Sequence, residues 1–260
     1  MSSINFPRTF PLGDAYESIQ KCAILSSVKC QKCKELISFD ESKRSVTFCT
    51  ERLIPTTTTN RPRVMLLFSN PHPHSVHQGM FLSPNTRGVK NAFWSVMVDA
   101  GWLPKTVINR NPKQLADFCL NAKYPGPIEL IFYCFYAFPT KDPKDIRKIF
   151  GEEYFKREIE PKAMYELKKA IQDSSVEAVV TFNKEIFNLV SKDRVDTYIK
   201  RLEKKEMIQS QISGIDKNIP IFLTFPTGRW RSSRGLRVAS LEAIRTVICS
   251  GLNSPETKDT

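Results

Sequence analysis

Four stretches of the chain are continuously apolar and end in polar or proline residues: RVMLLFSN (63–70), IELIFYCFYAF (128–138), VEAVVTFN (176–183) and IPIFLTFP (219–226). Short apolar runs without alternation are those of strands covered on both faces. The segments between them carry helical periodicity, notably VKNAFWSVMVDAG, PKAMYELKKAIQDS and the charged DRVDTYIKRLEKKEMIQS, and LRVASLEAIRTVICSG follows the last strand. Alternating strands and helices predict an α/β fold, a three-layer α/β/α sandwich around a four-stranded, mainly parallel sheet. Pro161 suits a first helical turn, and Gly101 and Gly251 stand where helices would stop. Ligands of such sheets sit beyond the carboxyl ends of the strands, which gathers Ser69-Asn70-Pro71, Phe135 to Pro139, Phe182-Asn183 and Phe225-Pro226-Thr227 around one crevice.

Residues 1–60 do not fit the alternation. They read as an N-terminal extension, joined to the 61–251 domain through an extended, threonine-rich stretch from Pro55 to Pro62, while 252–260 reads as a frayed polar tail. The chain is 41% hydrophobic with 17 Phe, enough to bury a core, so global disorder is excluded. Its longest apolar run is well short of the ~20 residues of a bilayer helix, and the start lacks a basic segment followed by an apolar one. The expectation is a monomer that neither spans a membrane nor is secreted, held in the cytoplasm near the nucleoid or in a nucleus. An odd count of 7 Cys fits reduced thiols.

Charge changes the picture more. A net +12 favours polyanionic partners, DNA in double- or single-stranded form first, against the alternative of a merely solubilising surface. The densest candidate contact is Thr227, Gly228, Arg229, Trp230, Arg231, Ser232, Ser233 and Arg234, just before a helix start, where hydroxyls and helix-terminal amides suit phosphates. Arg229 or Trp230 can fill the gap left by an extruded base. By contrast KRLEKKE alternates charge and reads as a solvated helix face.

Asn70, at a strand end, can orient a water through its carbonyl oxygen but is no strong base. His72, His74 and His77 follow it, and any of them can hydrogen-bond or protonate a leaving base; His72 is the nearest in sequence. Their H-x-H-x-x-H spacing allows a metal, with no nearby acid or cysteine to complete the set. Phe81 is a candidate stacking platform, or else a core ring. Asn183 can read a base edge or make a turn. Cys22, Cys30, Cys33 and Cys49 form C-x7-C-x2-C-x15-C, which permits a structural zinc; plain thiols are the alternative.

The order Asn70-Pro71, Phe81-Leu82-Ser83-Pro84, Asn91-Ala92-Phe93-Trp94, with Pro226-Thr227-Gly228-Arg229-Trp230-Arg231 after the fourth strand, resembles the uracil-DNA glycosylase superfamily. Its mismatch-specific and thymine-DNA branches carry G-x-N-P-G, F-x-x-P, N-x-F-W and P-S-G-x-x-R in that sequence. VVTFNK is similar to the V-F-N-G-K of the thymine-directed branch. The resemblance spans roughly 63–250. It departs from the pattern where Phe68 and His72 replace both glycines, where Phe225 replaces a histidine, and where about five residues, TRGVK, are inserted before Asn91. The resemblance implies a DNA glycosylase that flips a base and hydrolyses its N-glycosidic bond. It implies Asn70 as the catalytic residue and no cofactor for catalysis; His72, the nearest histidine in the following loop, is the second catalytic candidate, and Phe68, Ser69, Pro71, Phe81, Ser83, Asn183 and Phe225 are the residues expected around the base. No lysine stands at the motif position, so lyase chemistry is not expected. Uracil or mismatched thymine, in base excision repair, is the first substrate expectation. A hypermodified cytosine of viral DNA, in antiviral defence, is the second, and a non-catalytic DNA-binding module of the same fold is the third.

Overall fold

The computed structural model describes residues 4–27, 35–85, 88–227 and 234–251. The four apolar runs are strands, each shorter than its run: β4 (Arg63–Phe68), β5 (Glu129–Cys134), β6 (Ala178–Thr181) and β8 (Pro220–Leu223). They lie parallel in the order β5-β4-β6-β8. β4, β5 and β6 are buried along almost their whole length, as unbroken apolar runs require. Alternate residues feed two separate cores. Met65, Leu67, Ile131 and Val179 face one side; Leu66, Phe68, Phe132 and Val180 face the other.

Helices cover both faces. The first core receives α1 (Tyr16–Ser27), α5 (Pro143–Phe150), α6 (Glu160–Asp173) and α7 (Lys184–Val190). The second receives α3 (Ala92–Asp99), α4 (Pro112–Leu120) and α9 (Arg234–Gly251), while α2 (Pro73–Gln78) follows β4 directly. Gly101 adopts φ +71° and closes α3, its N–H donating to Val98 O at 3.0 Å. Pro161 occupies the first turn of α6. No described helix is long and apolar enough to cross a membrane.

The sheet has eight strands, not the four expected. The stretch set apart as an extension supplies three: β1 (Asn5–Pro11), β2 (Ile37–Asp40) and β3 (Ser45–Leu53). β3 pairs antiparallel with β1 and β2, and through Arg52↔Tyr133 and Leu53↔Phe132 it joins β5. Val46, Phe48 and Leu53 of β3 belong to the cores, so this part of the chain continues the sheet. Its half-buried strands alternate, a weaker signal than a buried run. The predicted long helix over DRVDTYIKRLEKKEMIQS is also corrected. Only α8 (Ile199–Glu203) is helical there, and Ile208–Gln211 forms β7, antiparallel to β8, with Ile208 and Ser210 buried. The result is a mixed sheet with a parallel centre and antiparallel edges.

The threonine connector is bonded down rather than merely extended. Thr56 N donates to Leu120 O at 3.0 Å and Thr57 Oγ1 to Asn121 O at 2.6 Å. Thr59 Oγ1 donates to the fully buried Glu129 at 2.8 Å, and Arg63 pairs with the same carboxylate at 2.7 Å. The amino end of the central sheet is thereby fixed.

Candidate functional site

The chain leaves β4 toward β5 on one side, while β6 lies on the other side of β4 and leads away to β8. Connections that diverge like this open a crevice at the carboxyl ends of β4 and β6. Ser69-Asn70-Pro71 lies at that point. Its backbone is held by the segment after β5: Phe135 N donates to Phe68 O and Tyr136 N to Ser69 O, each at 2.8 Å, and Thr140 N to Pro71 O at 3.1 Å.

The same segment orients the Asn70 side chain. Nδ2 donates to Thr140 O at 2.8 Å, to Thr140 Oγ1 at 2.9 Å and to Pro71 O at 3.2 Å. Thr140 is buried, and its hydroxyl donates onward to Asp142 O at 2.9 Å. Asp142 caps α5 through Lys144 N. With the amide nitrogen among acceptors, Oδ1 is the end left to accept. It accepts from Ser69 Oγ at 3.2 Å, and a carbonyl oxygen has a second lone pair for a water. Thr140 carries no motif that sequence reading would single out; the spatial pairing of 70 with 140 is visible only after folding.

His72 caps α2, its Nδ1 accepting from His74 N at 3.2 Å. The imidazole is therefore neutral, with its proton on Nε2. Loss of water around the ring, then the neighbouring His74 and Lys141, hold its pKa below the ordinary histidine value, although much of the residue meets solvent. His74 Nε2 bonds Pro84 O, and His77 Nδ1 stands 3.8 Å from Glu35. The three histidines thus make separate contacts and do not converge.

Behind Asn70 lies a cluster of aromatic rings. Phe68 stacks on Phe182 with centroids 5.2 Å apart and contacts Phe81 at 5.6 Å, and Phe81 contacts Phe132 at 5.5 Å. Phe81 is only 2% exposed, so it takes the core placement and presents no open face as a platform. Phe68 and Phe225 are buried too, with the Arg237 guanidinium 5.9 Å from the Phe225 ring. Ser83 is buried and spends its hydroxyl on Met80 O at 2.6 Å. Pro71 is buried and Ser69 half-buried.

Two motif asparagines are helix caps. Asn91 Oδ1 accepts from Phe93 N at 3.0 Å at the start of α3. Asn183 Oδ1 accepts from Glu185 N at 2.8 Å and Ile186 N at 3.2 Å, which assigns that oxygen to the start of α7 instead of a base edge. Gly79 terminates α2 with φ +74°, a conformation that favours glycine.

Of the basic segment, Thr227 is half-buried, while Gly228, Arg229, Trp230, Arg231, Ser232 and Ser233 lie outside the described residues. Arg234, at the start of α9, donates to Ser95 Oγ at 2.8 Å and pairs with Asp99. Its charge is already shared with a carboxylate. Cys22 and Cys49 are half-buried free thiols, and Cys30 and Cys33 lie outside the described residues. Among the described residues no group of three His, Cys, Asp or Glu side chains is placed to hold a metal. No protein-family model matches this chain, and no curated protein sequence matches it.

Proposed function

We propose that the chain is a monofunctional DNA glycosylase, which takes a nucleotide into the crevice at the end of β4 and hydrolyses its N-glycosidic bond to leave an abasic site. One observation carries the reading: Asn70, the residue that aligns with the catalytic position of the motif the sequence resembles, has its amide nitrogen held by Thr140, which leaves Oδ1 as the acceptor. An N-glycosidic bond breaks through a sugar with oxocarbenium character, which asks for a positioned water more than for a strong nucleophile. Asn70 Oδ1 orients that water by accepting one of its protons in a hydrogen bond. The water oxygen bonds to C1′ as the bond from C1′ to the base breaks and the electron pair leaves with the base; the water then gives up one proton to solvent, leaving a C1′ hydroxyl, and the departed base anion takes one from solvent.

The neutral His72 imidazole, with its proton on Nε2, serves as a hydrogen-bond donor to the departing base rather than as a full acid. With an amide in place of a carboxylate, turnover is expected to be slow. Thr227 to Arg234 and the net +12 charge supply the phosphate contacts.

The test is alkaline cleavage of labelled oligonucleotides carrying uracil, G:T, hypoxanthine, 5-hydroxymethylcytosine or glucosylated 5-hydroxymethylcytosine, with Asn70→Ala alongside. Release from at least one substrate is expected, falling by two orders of magnitude or more in Asn70→Ala while DNA binding is kept. Uracil or mismatch cleavage places the enzyme in repair; cleavage confined to modified cytosine places it in defence against viral DNA. Base release that is unchanged in Asn70→Ala, or salt-sensitive DNA binding with no abasic product from any lane, overturns the proposal.

A further inference from the structure

A cavity of about 270 Å³ lies beside the segment that carries Ser83-Pro84 and Asn91, away from Asn70 in sequence but bounded by the same motifs. Its apolar walls include Met80, Trp94, Val107 and Leu115, all buried. Lys90 and Arg110 are its charged residues, and none of its lining residues is acidic. The Arg110 guanidinium packs 4.2 Å from the Phe118 ring, and its buried Nε has no hydrogen-bond partner. Two helix N-termini meet here: α3 begins after Asn91 and α4 after Asn111, and neither has an acid in its first turn. Phe93 N and Gln114 N are already taken by the Asn91 and Asn111 side chains, so Arg110 and Lys90, whose ammonium also donates to Ile108 O at 2.5 Å, are the groups the rim offers a phosphate.

The polar side chains near the apolar walls are largely spent. The Ser83 hydroxyl is used by Met80 O, the Asn91 carbonyl oxygen by Phe93 N, and the Trp94 indole N–H by Leu82 O at 3.2 Å. A sugar substituent on a base would lose its hydrogen bonds to water there without replacement. A flat base, which gains from apolar and aromatic contact, would not pay that cost over its faces. Arg234 reaches Ser95 on the cavity wall, so the cavity adjoins the end of the basic segment.

We propose that this cavity is a second nucleotide subsite: it takes an unstacked base of the bound DNA next to the one excised, with a phosphate held at Lys90 and Arg110. The subsite rests on the DNA glycosylase reading only for the identity of its neighbour. It predicts a distortion of the DNA at two nucleotides instead of one.

The experiment is photocrosslinking of the full chain carrying Asn70→Ala to duplexes with a central G:U mismatch and 5-iodouracil stepped through the flanking positions, at equal fraction bound. One flanking position is expected to crosslink to peptides containing Met80 or Trp94. Filling the cavity with Ala92→Phe should lower that yield at least tenfold, and Lys90→Glu, an exposed position that does not test packing, should lower it severalfold. Bound DNA that never crosslinks to those peptides, or a yield unchanged in both variants, overturns the subsite even if the wild-type chain releases bases. Crosslinking there by a chain that releases no base leaves the subsite standing and overturns the glycosylase. Loss in Ala92→Phe of release from glucosylated 5-hydroxymethylcytosine alone, with uracil release kept, assigns the cavity to a base substituent and also overturns the subsite.

Discussion

At the scale of single residues, the arrangement that matters most is a pair that no local pattern announces. Asn70 can present either end of its amide, and Thr140 decides which by accepting from Nδ2 with both its carbonyl and its hydroxyl. If Asn70 holds the attacking water, Thr140→Val should lower kcat by about 10- to 100-fold with KM nearly unchanged, and Thr140→Ser should restore it, because the loss falls on orientation rather than on binding. Steady-state kinetics on the cleaved substrate checks this, and equal kcat in the Val variant would remove Thr140 from the mechanism. A second buried group behaves differently. Glu51 is 3% exposed, and burial pushes its carboxyl well above the usual carboxylate range. The unfolded chain ionises near pH 4.5, so the stability tied to this group is full below that pH and is lost as pH rises toward the folded pKa, at up to about 1.4 kcal/mol per pH unit. Glu51→Gln lacks this loss. Urea midpoints of the variant and the wild type should therefore diverge in favour of Gln between pH 5 and pH 8; parallel curves would show that Glu51 does not titrate as stated.

At the scale of elements, continuous apolar runs were legible and short alternating ones were not. β4, β5, β6 and β8 are buried strands because RVMLLF, ELIFYC, AVVT and PIFL have no polar face to expose. β7 is four residues of IQSQ, and its alternation is lost beside the charged KRLEKKE. β1 to β3 are strands because β5 offers β3 an edge, a fact absent from residues 1–60 themselves. Caps explain two of the motif residues: Asn91 and Asn183 start helices, a role their position before apolar periodicity already allows. The amino end of the sheet supplies a stability test. Glu129 is fully buried and serves both Arg63 and Thr59. Removing one side of a buried ion pair leaves the other charge uncompensated, so Glu129→Ala should cost about 3–5 kcal/mol in urea unfolding, with the connector as the first region to exchange amide hydrogens. A loss below 1 kcal/mol would mean that the connector is held without this carboxylate.

At the scale of the whole molecule, the net charge of +12 predicts the salt dependence of the proposed DNA binding. Each neutralised phosphate contributes about 0.9 to the slope of log K against log salt. Replacing Arg229 and Arg231 together by Ala should reduce that slope by roughly 2, whereas Arg234→Ala should change it less, because Asp99 already pairs with that guanidinium. A titration of labelled duplex across salt concentrations measures both, and a slope unchanged in the double variant would show that the segment does not touch the DNA backbone.

The amino-acid sequence determined the α/β class of the fold and the four apolar strands at the parallel centre of the sheet, because these follow from periodicity, a local property of the chain. It also placed Asn70 at a strand end. The tertiary structure alone decided that β1 to β3 extend the sheet, that Phe81 is a core ring, that the Arg234 charge is shared with Asp99, and that Thr140 locks Asn70. Each of these depends on a partner distant in sequence. Pairing, burial and hydrogen bonding are properties of two segments at once, and no pattern within either segment records which other segment it will meet.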